Sequence, residues 1–105
     1  MRRLTAMALL TMSCAGVPLA REGLTDPGAL LFNGYTRPDV DCYTCHNGDG
    51  RGAKGPGLIF KVPRLSEDKL ARTIRNGKGL MPKYGAKLSD DEVNQVVTWL
   101  KITFR

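Results

Sequence analysis

Between Gly34 and Leu65 the sequence shows neither helical nor strand periodicity in its apolar residues, and Gly48, Gly50, Gly52, Gly55 and Gly57 recur along it. A stretch of that length without secondary structure is hard to reconcile with a core made only of side chains. The whole chain has 105 residues, enough for one small domain that buries little apolar surface of its own. Something other than side chains is therefore expected to fill the centre, and a flat, apolar cofactor would serve.

Three segments around this stretch read as helices, and no alternating strand pattern accompanies them, so an all-α architecture with long Gly- and Pro-bearing loops is expected. The last begins at Ser89 with a capping box closed by Glu92 and carries Val93, Val96, Val97 and Leu100 on one face, Leu88 being placed to staple against Val93. The middle one has Ser66 as N-cap, Leu65 facing Leu70, Glu67 and Asp68 in the first turn, Ile74 on the buried stripe and Gly77 as its stop. The first opens at Thr25 or Asp26 with Pro27 in its first turn, presents Leu30, Leu31 and Phe32, and fades near Gly34.

Inside the glycine-bearing stretch lies Cys42-Tyr43-Thr44-Cys45-His46, the C-x-x-C-H signature of covalent haem attachment. Two thiols three residues apart fall on one side of a helical turn, where they can add to the two vinyl groups, and the next residue projects an imidazole at the iron. Zinc is a poor rival because a structural site needs four Cys or His ligands, and His46 is the only histidine. A redox disulfide of the thioredoxin kind needs a βαβ context that the sequence lacks.

From Gly28 to Leu100 the order of parts resembles the class I, monohaem cytochromes c, in a small exported bacterial form. In that family a first helix bearing Gly and an aromatic crosses a last helix bearing another aromatic; Gly28, Phe32 and Trp99 stand at those positions. The resemblance implies the cytochrome c fold, with three main helices and long loops wrapped around one haem c. Gly55-Pro56-Gly57-Leu58 resembles the family's Gly-Pro stretch, which implies that the Pro56 carbonyl accepts the proton of His46 Nδ1. Asn76-Gly77-Lys78-Gly79-Leu80-Met81-Pro82 resembles the loop of the sixth iron ligand, which implies Met81 in that role beside His46. The cofactor-binding set is then Cys42, Cys45, His46, Pro56 and Met81. Two departures from the family pattern are a longer connection from Phe32 to Cys42, expected to make Tyr35 to Asp41 an extra surface loop, and a short path from His46 to Met81.

The chain opens Met1-Arg2-Arg3 and continues through an apolar run to Met12, too short to span a bilayer, followed by the small residues Ser13-Cys14-Ala15-Gly16. Residues 1–15 read as a signal peptide, cleaved after Ala15 or as late as Ala20; 16–24 then form a short linker and 25–105 the cytochrome domain. Met1, Met7 and Met12 leave with the signal, so Met81 is the one methionine of the mature protein. Cys14 offers a lipid anchor as the alternative, although Thr11 is unusual for a lipoprotein box. The expected location is the periplasm, with membrane association only through Cys14.

The formal net charge is +6, and it stays positive after loss of Arg2 and Arg3. No basic helix or nucleic-acid motif accompanies that charge, so nucleic acid is not an expected partner. Lys78, Lys83 and Lys87 around Met81, with Arg51 and Lys54 after the attachment motif, suit a protein partner with an acidic docking face. The expected function is one-electron, outer-sphere transfer between protein redox partners by a monomer, not enzymatic catalysis. Two alternatives stay open: a haem enzyme or gas sensor with a displaceable sixth ligand, for which no distal His or Arg presents itself near Met81, and a tethered cytochrome subunit of a larger complex.

Overall fold

The computed structural model describes residues 16–105; residues 1–15, expected as a signal peptide, with Met1, Met7, Met12 and Cys14, lie outside the described residues. Five α-helices follow in chain order: α1 Pro27–Phe32, α2 Tyr43–His46, α3 Leu58–Lys61, α4 Glu67–Asn76 and α5 Asp90–Thr103, with a 3-10 turn at Val62–Arg64. Among the described residues there is no sheet, only an isolated bridge between Lys78 and Met81. The three helices read from the sequence are α1, α4 and α5, and the expected all-α architecture with long loops is the observed one.

Their ends follow local chemistry. At α1 Asp26 is the cap, accepting from the Gly28 and Ala29 amides, with Pro27 in the first turn where no amide is needed. At α4 the Ser66 side chain accepts from Lys69 N, and Gly77, at φ 74°, ends the helix in a conformation a side chain disfavours. Both halves of the Ser89/Glu92 capping box at α5 are present.

The core sits where α1 and α5 cross, and these two helices share the largest interhelical interface. At the crossing a Cβ on Gly28 would lie 2.1 Å from Gln95 O and 2.8 Å from Trp99 Cβ, so only glycine allows the helices this close. Phe32 meets Trp99 with ring centroids 5.1 Å apart and planes tilted by 50°, and Phe104 meets Trp99 edge-on at 5.8 Å. Leu70, Ala71 and Ile74 of α4 and Val93, Val96, Val97 and Leu100 of α5 are buried in the same cluster.

The glycine-bearing stretch is more ordered than its sequence suggests. Leu58, Ile59 and Phe60 open a single helical turn that passes into the 3-10 turn at Pro63, and Lys101 Nζ closes that turn by donating to the carbonyls of Val62 and Leu65 at 3.1 and 2.5 Å. The Tyr35–Asp41 connection, expected as a surface loop, is anchored. Its Val40 is fully buried, and Arg37 forks onto both carboxylate oxygens of Glu92 at 3.0 Å while also donating to Lys87 O. Within residues 16–24, expected as a linker, Gly16, Val17 and Leu19 lie against the body of the fold through hydrogen bonds to Thr44, Asn47 and Asn33, while residues 20–23 are exposed.

Candidate haem centre

The attachment motif forms α2, a single turn that places Cys42, Cys45 and His46 together. His46 N donates to Cys42 O at 3.0 Å, closing the turn, and Cys42 and Cys45 are not joined to each other by a disulfide. Burial pushes the Cys42 thiol up to about 12.

The loop that follows is templated on this turn. Cys45 O accepts from both Ala53 N and Gly55 N at 2.8 Å, and His46 O accepts from Gly52 N at 2.9 Å. That wrapping brings the Gly-Pro step to the imidazole: His46 Nδ1 donates to the Pro56 carbonyl at 2.9 Å. With the proton on Nδ1, Nε2 keeps its lone pair. Gly55 lies so close that a Cβ there would stand 3.0 Å from His46 Cε1, which keeps the ring's neighbourhood free of a side chain.

Met81 comes from a separate element. After Gly77 the chain turns tightly, with Met81 N donating to Lys78 O at 3.0 Å and Lys78 N to Met81 O at 3.3 Å, leaving Leu80 fully exposed at the tip. The loop then returns to α4, where Tyr84 N and Gly85 N donate to Ile74 O and Arg75 O. Met81 itself is partly buried against the core cluster. Its loop is tied to the attachment motif through Tyr84, whose hydroxyl donates to Asp41 Oδ1 at 3.2 Å.

Of the charged residues around this site, Lys87 is exposed but has partners of its own. Its ammonium lies 5.5 Å from the centre of the Tyr84 ring and 3.4 Å from Asp39 O, so it is engaged with the 37–41 connection. Arg51 pairs with Asp49 at 3.4 Å, leaving Lys54, Lys78 and Lys83 as the nearby cations for which no such pairing occurs among the described residues.

The donor chemistry fits haem c: two thiols on one turn, an imidazole whose distal nitrogen is free, a thioether on a second loop, and a glycine beside the ring. No group of three or more His, Cys, Asp or Glu side chains capable of holding a metal ion on its own occurs among the described residues. The sequence did not disclose the tie from Tyr84 to Asp41 or the fork from Arg37 to Glu92. Both join residues far apart in the chain, and neither has a local pattern that would mark it.

Comparison with known proteins agrees with this arrangement. Residues 25–100 match the family model described as cytochrome C oxidase, cbb3-type, subunit III. Cytochrome c-551 of Bacillus subtilis is 32% identical over 99 residues, covering 90% of this chain and 86% of the relative. Cytochrome c6 of Gracilaria tenuistipitata is 30% identical over 81 residues, covering 71% of this chain and 68% of its own. Among solved structures, the c-type cytochrome XoxG of Methylobacterium extorquens AM1 superposes with a TM-score of 0.55 at 28% identity, over 70% of this chain; the chain spans 50% of that protein's length.

Proposed function

The chain belongs to the monohaem class I cytochrome c family, electron-transfer proteins with one covalently bound haem c, and on that premise we propose that it carries single electrons and that His46 and Met81 are the residues that would hold the iron. Bound haem c supplies the one-electron Fe(III)/Fe(II) couple. Cys42 and Cys45 hold it in one orientation through thioether bonds. His46 presents Nε2 to the metal, and Pro56 keeps the imidazole from turning by accepting the Nδ1 proton, which also makes the ligand more electron-rich. Met81 supplies a soft sulfur that favours the reduced state and raises the potential. With His46 and Met81 both holding the iron, no site would be left for a substrate, and exchange with protein redox partners would be outer-sphere.

The observation that carries this reading is the His46 Nδ1 to Pro56 O bond of 2.9 Å, because it orients the imidazole as an iron ligand rather than as a free acid or base. Residues 1–15 act as the export signal, 25–105 as the cytochrome domain, and the periplasm is where the protein works as a monomer. Lys54, Lys78 and Lys83 guide it to an acidic face on its partner, an attraction screened over about 8–10 Å at ordinary ionic strength. Absorption spectra of the purified native protein, oxidised and reduced, test the ligand set. Sharp α and β bands with a thioether-to-iron charge-transfer band are expected, whereas a high-spin oxidised spectrum would refute bis-axial ligation.

A further inference from the structure

Residues 16–19 run along the attachment turn as a strap. Gly16 N donates to Thr44 O at 2.7 Å, Val17 N to Asn47 Oδ1 at 2.7 Å, and Gly48 N returns a bond to Val17 O at 2.8 Å. Further on, Leu19 N donates to Asn33 Oδ1 at 2.8 Å and Leu19 O accepts from the Tyr35 hydroxyl at 2.6 Å. The approach is close: a Cβ on Gly48 would lie 2.4 Å from Leu19 N.

Two of these partners depend on the strap. Asn33 is 2% exposed, and with its Nδ2 committed to Ala29 O its side-chain oxygen is satisfied by Leu19 N. A buried amide oxygen stripped of its donor is costly. Asn47 directly follows His46 and is the one non-glycine residue at positive φ, 65°, among the described residues. Its Oδ1 takes the Val17 amide while its Nδ2 donates to Asp49 Oδ1 at 2.7 Å, so the strap helps hold the left-handed residue that ends the helix bearing His46.

The sequence leaves two cleavage points open, after Ala15 and after Ala20; the second would remove the strap. We propose that the leader is hydrolysed at the Ala15–Gly16 bond and that residues 16–19 are thereafter a positioning element for the turn that carries His46. Hydrolysis consumes one water and leaves Ala15 as a carboxylate and Gly16 as an ammonium group. That ammonium replaces the Gly16 amide as donor to Thr44 O and strengthens the bond by its charge. The proposal rests on the reading of residues 1–15 as an export signal.

Intact mass of the mature holoprotein tests the cut. A chain beginning at Gly16 is expected. One beginning at Arg21, or at a lipid-modified Cys14, overturns the assignment while leaving export standing; one that retains Met1 overturns export and the cut together. The positioning role is tested separately on holoprotein exported behind a foreign leader, starting either at Gly16 or at Arg21. The shorter chain is expected to show a lower reduction potential, because a loosened turn admits water to the cofactor, and amide exchange at His46 and Asn47 faster by about tenfold, the size set by one lost hydrogen bond. Val17→Pro in the chain that starts at Gly16 removes the amide given to Asn47, while also fixing the backbone at 17 and restricting Gly16, and should move both readouts in the same direction, so the test survives if the shorter chain does not accumulate. Unchanged potential and exchange in Val17→Pro would overturn the positioning role.

Discussion

The Tyr84 hydroxyl donates to Asp41 Oδ1 at 3.2 Å, and this one bond joins the loop bearing Met81 to the residue immediately before Cys42. Tyr84 is 5% exposed, and burial holds its hydroxyl well above the usual tyrosine value, so it remains a donor across the range in which the protein is folded. The Met81 loop and the attachment turn are thus fastened to each other as well as packed on the core.

Tyr84→Phe should keep the packing and lose only the tie. A hydrogen bond to a carboxylate contributes about 1.5–3 kcal/mol, so a fall of that size in unfolding free energy is expected, with the haem still attached. Measured by denaturant titration alongside the thioether band, the variant should lose that band at a lower denaturant concentration than the wild type. Coincident loss of band and fold in both proteins would show that the tie does not serve the Met81 loop.

Arg37 and Glu92 give a pH signature. The Arg37 fork, followed by the Ser89 amide, lowers the Glu92 carboxyl to about 2, below the ordinary value near 4.3. Since the folded-state value is the depressed one, its stabilisation is present above about 4.3 and is lost as pH falls from there towards 2. The pair is partly exposed, with side chains 38% and 26% accessible, so its contribution is reduced by salt. Glu92→Gln should lower the melting temperature at neutral pH by a few degrees and flatten its decline between about pH 4.3 and 2. Parallel melting curves for the two proteins through that window would argue against it.

Met81→Ala should abolish the thioether charge-transfer band, lower the reduction potential and admit external ligands such as imidazole, with Cys42, Cys45 and His46 keeping the haem in place. An unchanged spectrum would make Met81 a core residue, and Lys78 or Lys83 would become the candidates for the sixth position.

The Cys42→Ser, Cys45→Ser chain is expected to show little cooperative helix by far-ultraviolet circular dichroism, because the loop from Asn47 to Gly57 is folded around the attachment turn and the apolar inventory is small. A sharp thermal transition in the haem-free variant would contradict this.

Helix ends and the attachment turn were legible because their signals are local. Ser66, Ser89 with Glu92, Asp26 with Pro27, and the C-x-x-C-H spacing each act within four residues of themselves, and the structure places each of these elements where its pattern stands. The Gly28 crossing and the Pro56 step were readable only through family likeness, since a glycine among many and a Gly-Pro pair say little by themselves. What stayed hidden is pairwise and distant. Val40 looks like a loop residue until Arg37 reaches Glu92 and closes the connection over it, and residues 16–19 look like spacer until Asn33 and Asn47 supply the acceptors. The one-turn helix at Leu58–Lys61 was missed because a single turn is too short to show a period.

The close passage of α1 over α5 at Gly28 and Gln95 has a consequence for the order in which the chain folds. The six residues of α1 are too few to persist as a helix in water, and their partner lies at the opposite end of the described chain. The contact on which the core depends is therefore also the one whose loop closure costs the most entropy. Alanine at position 28 should consequently act on the rate of folding, slowing the step in which the two ends dock, while the capped helices α4 and α5 gain their local turns on the usual fast timescale beforehand.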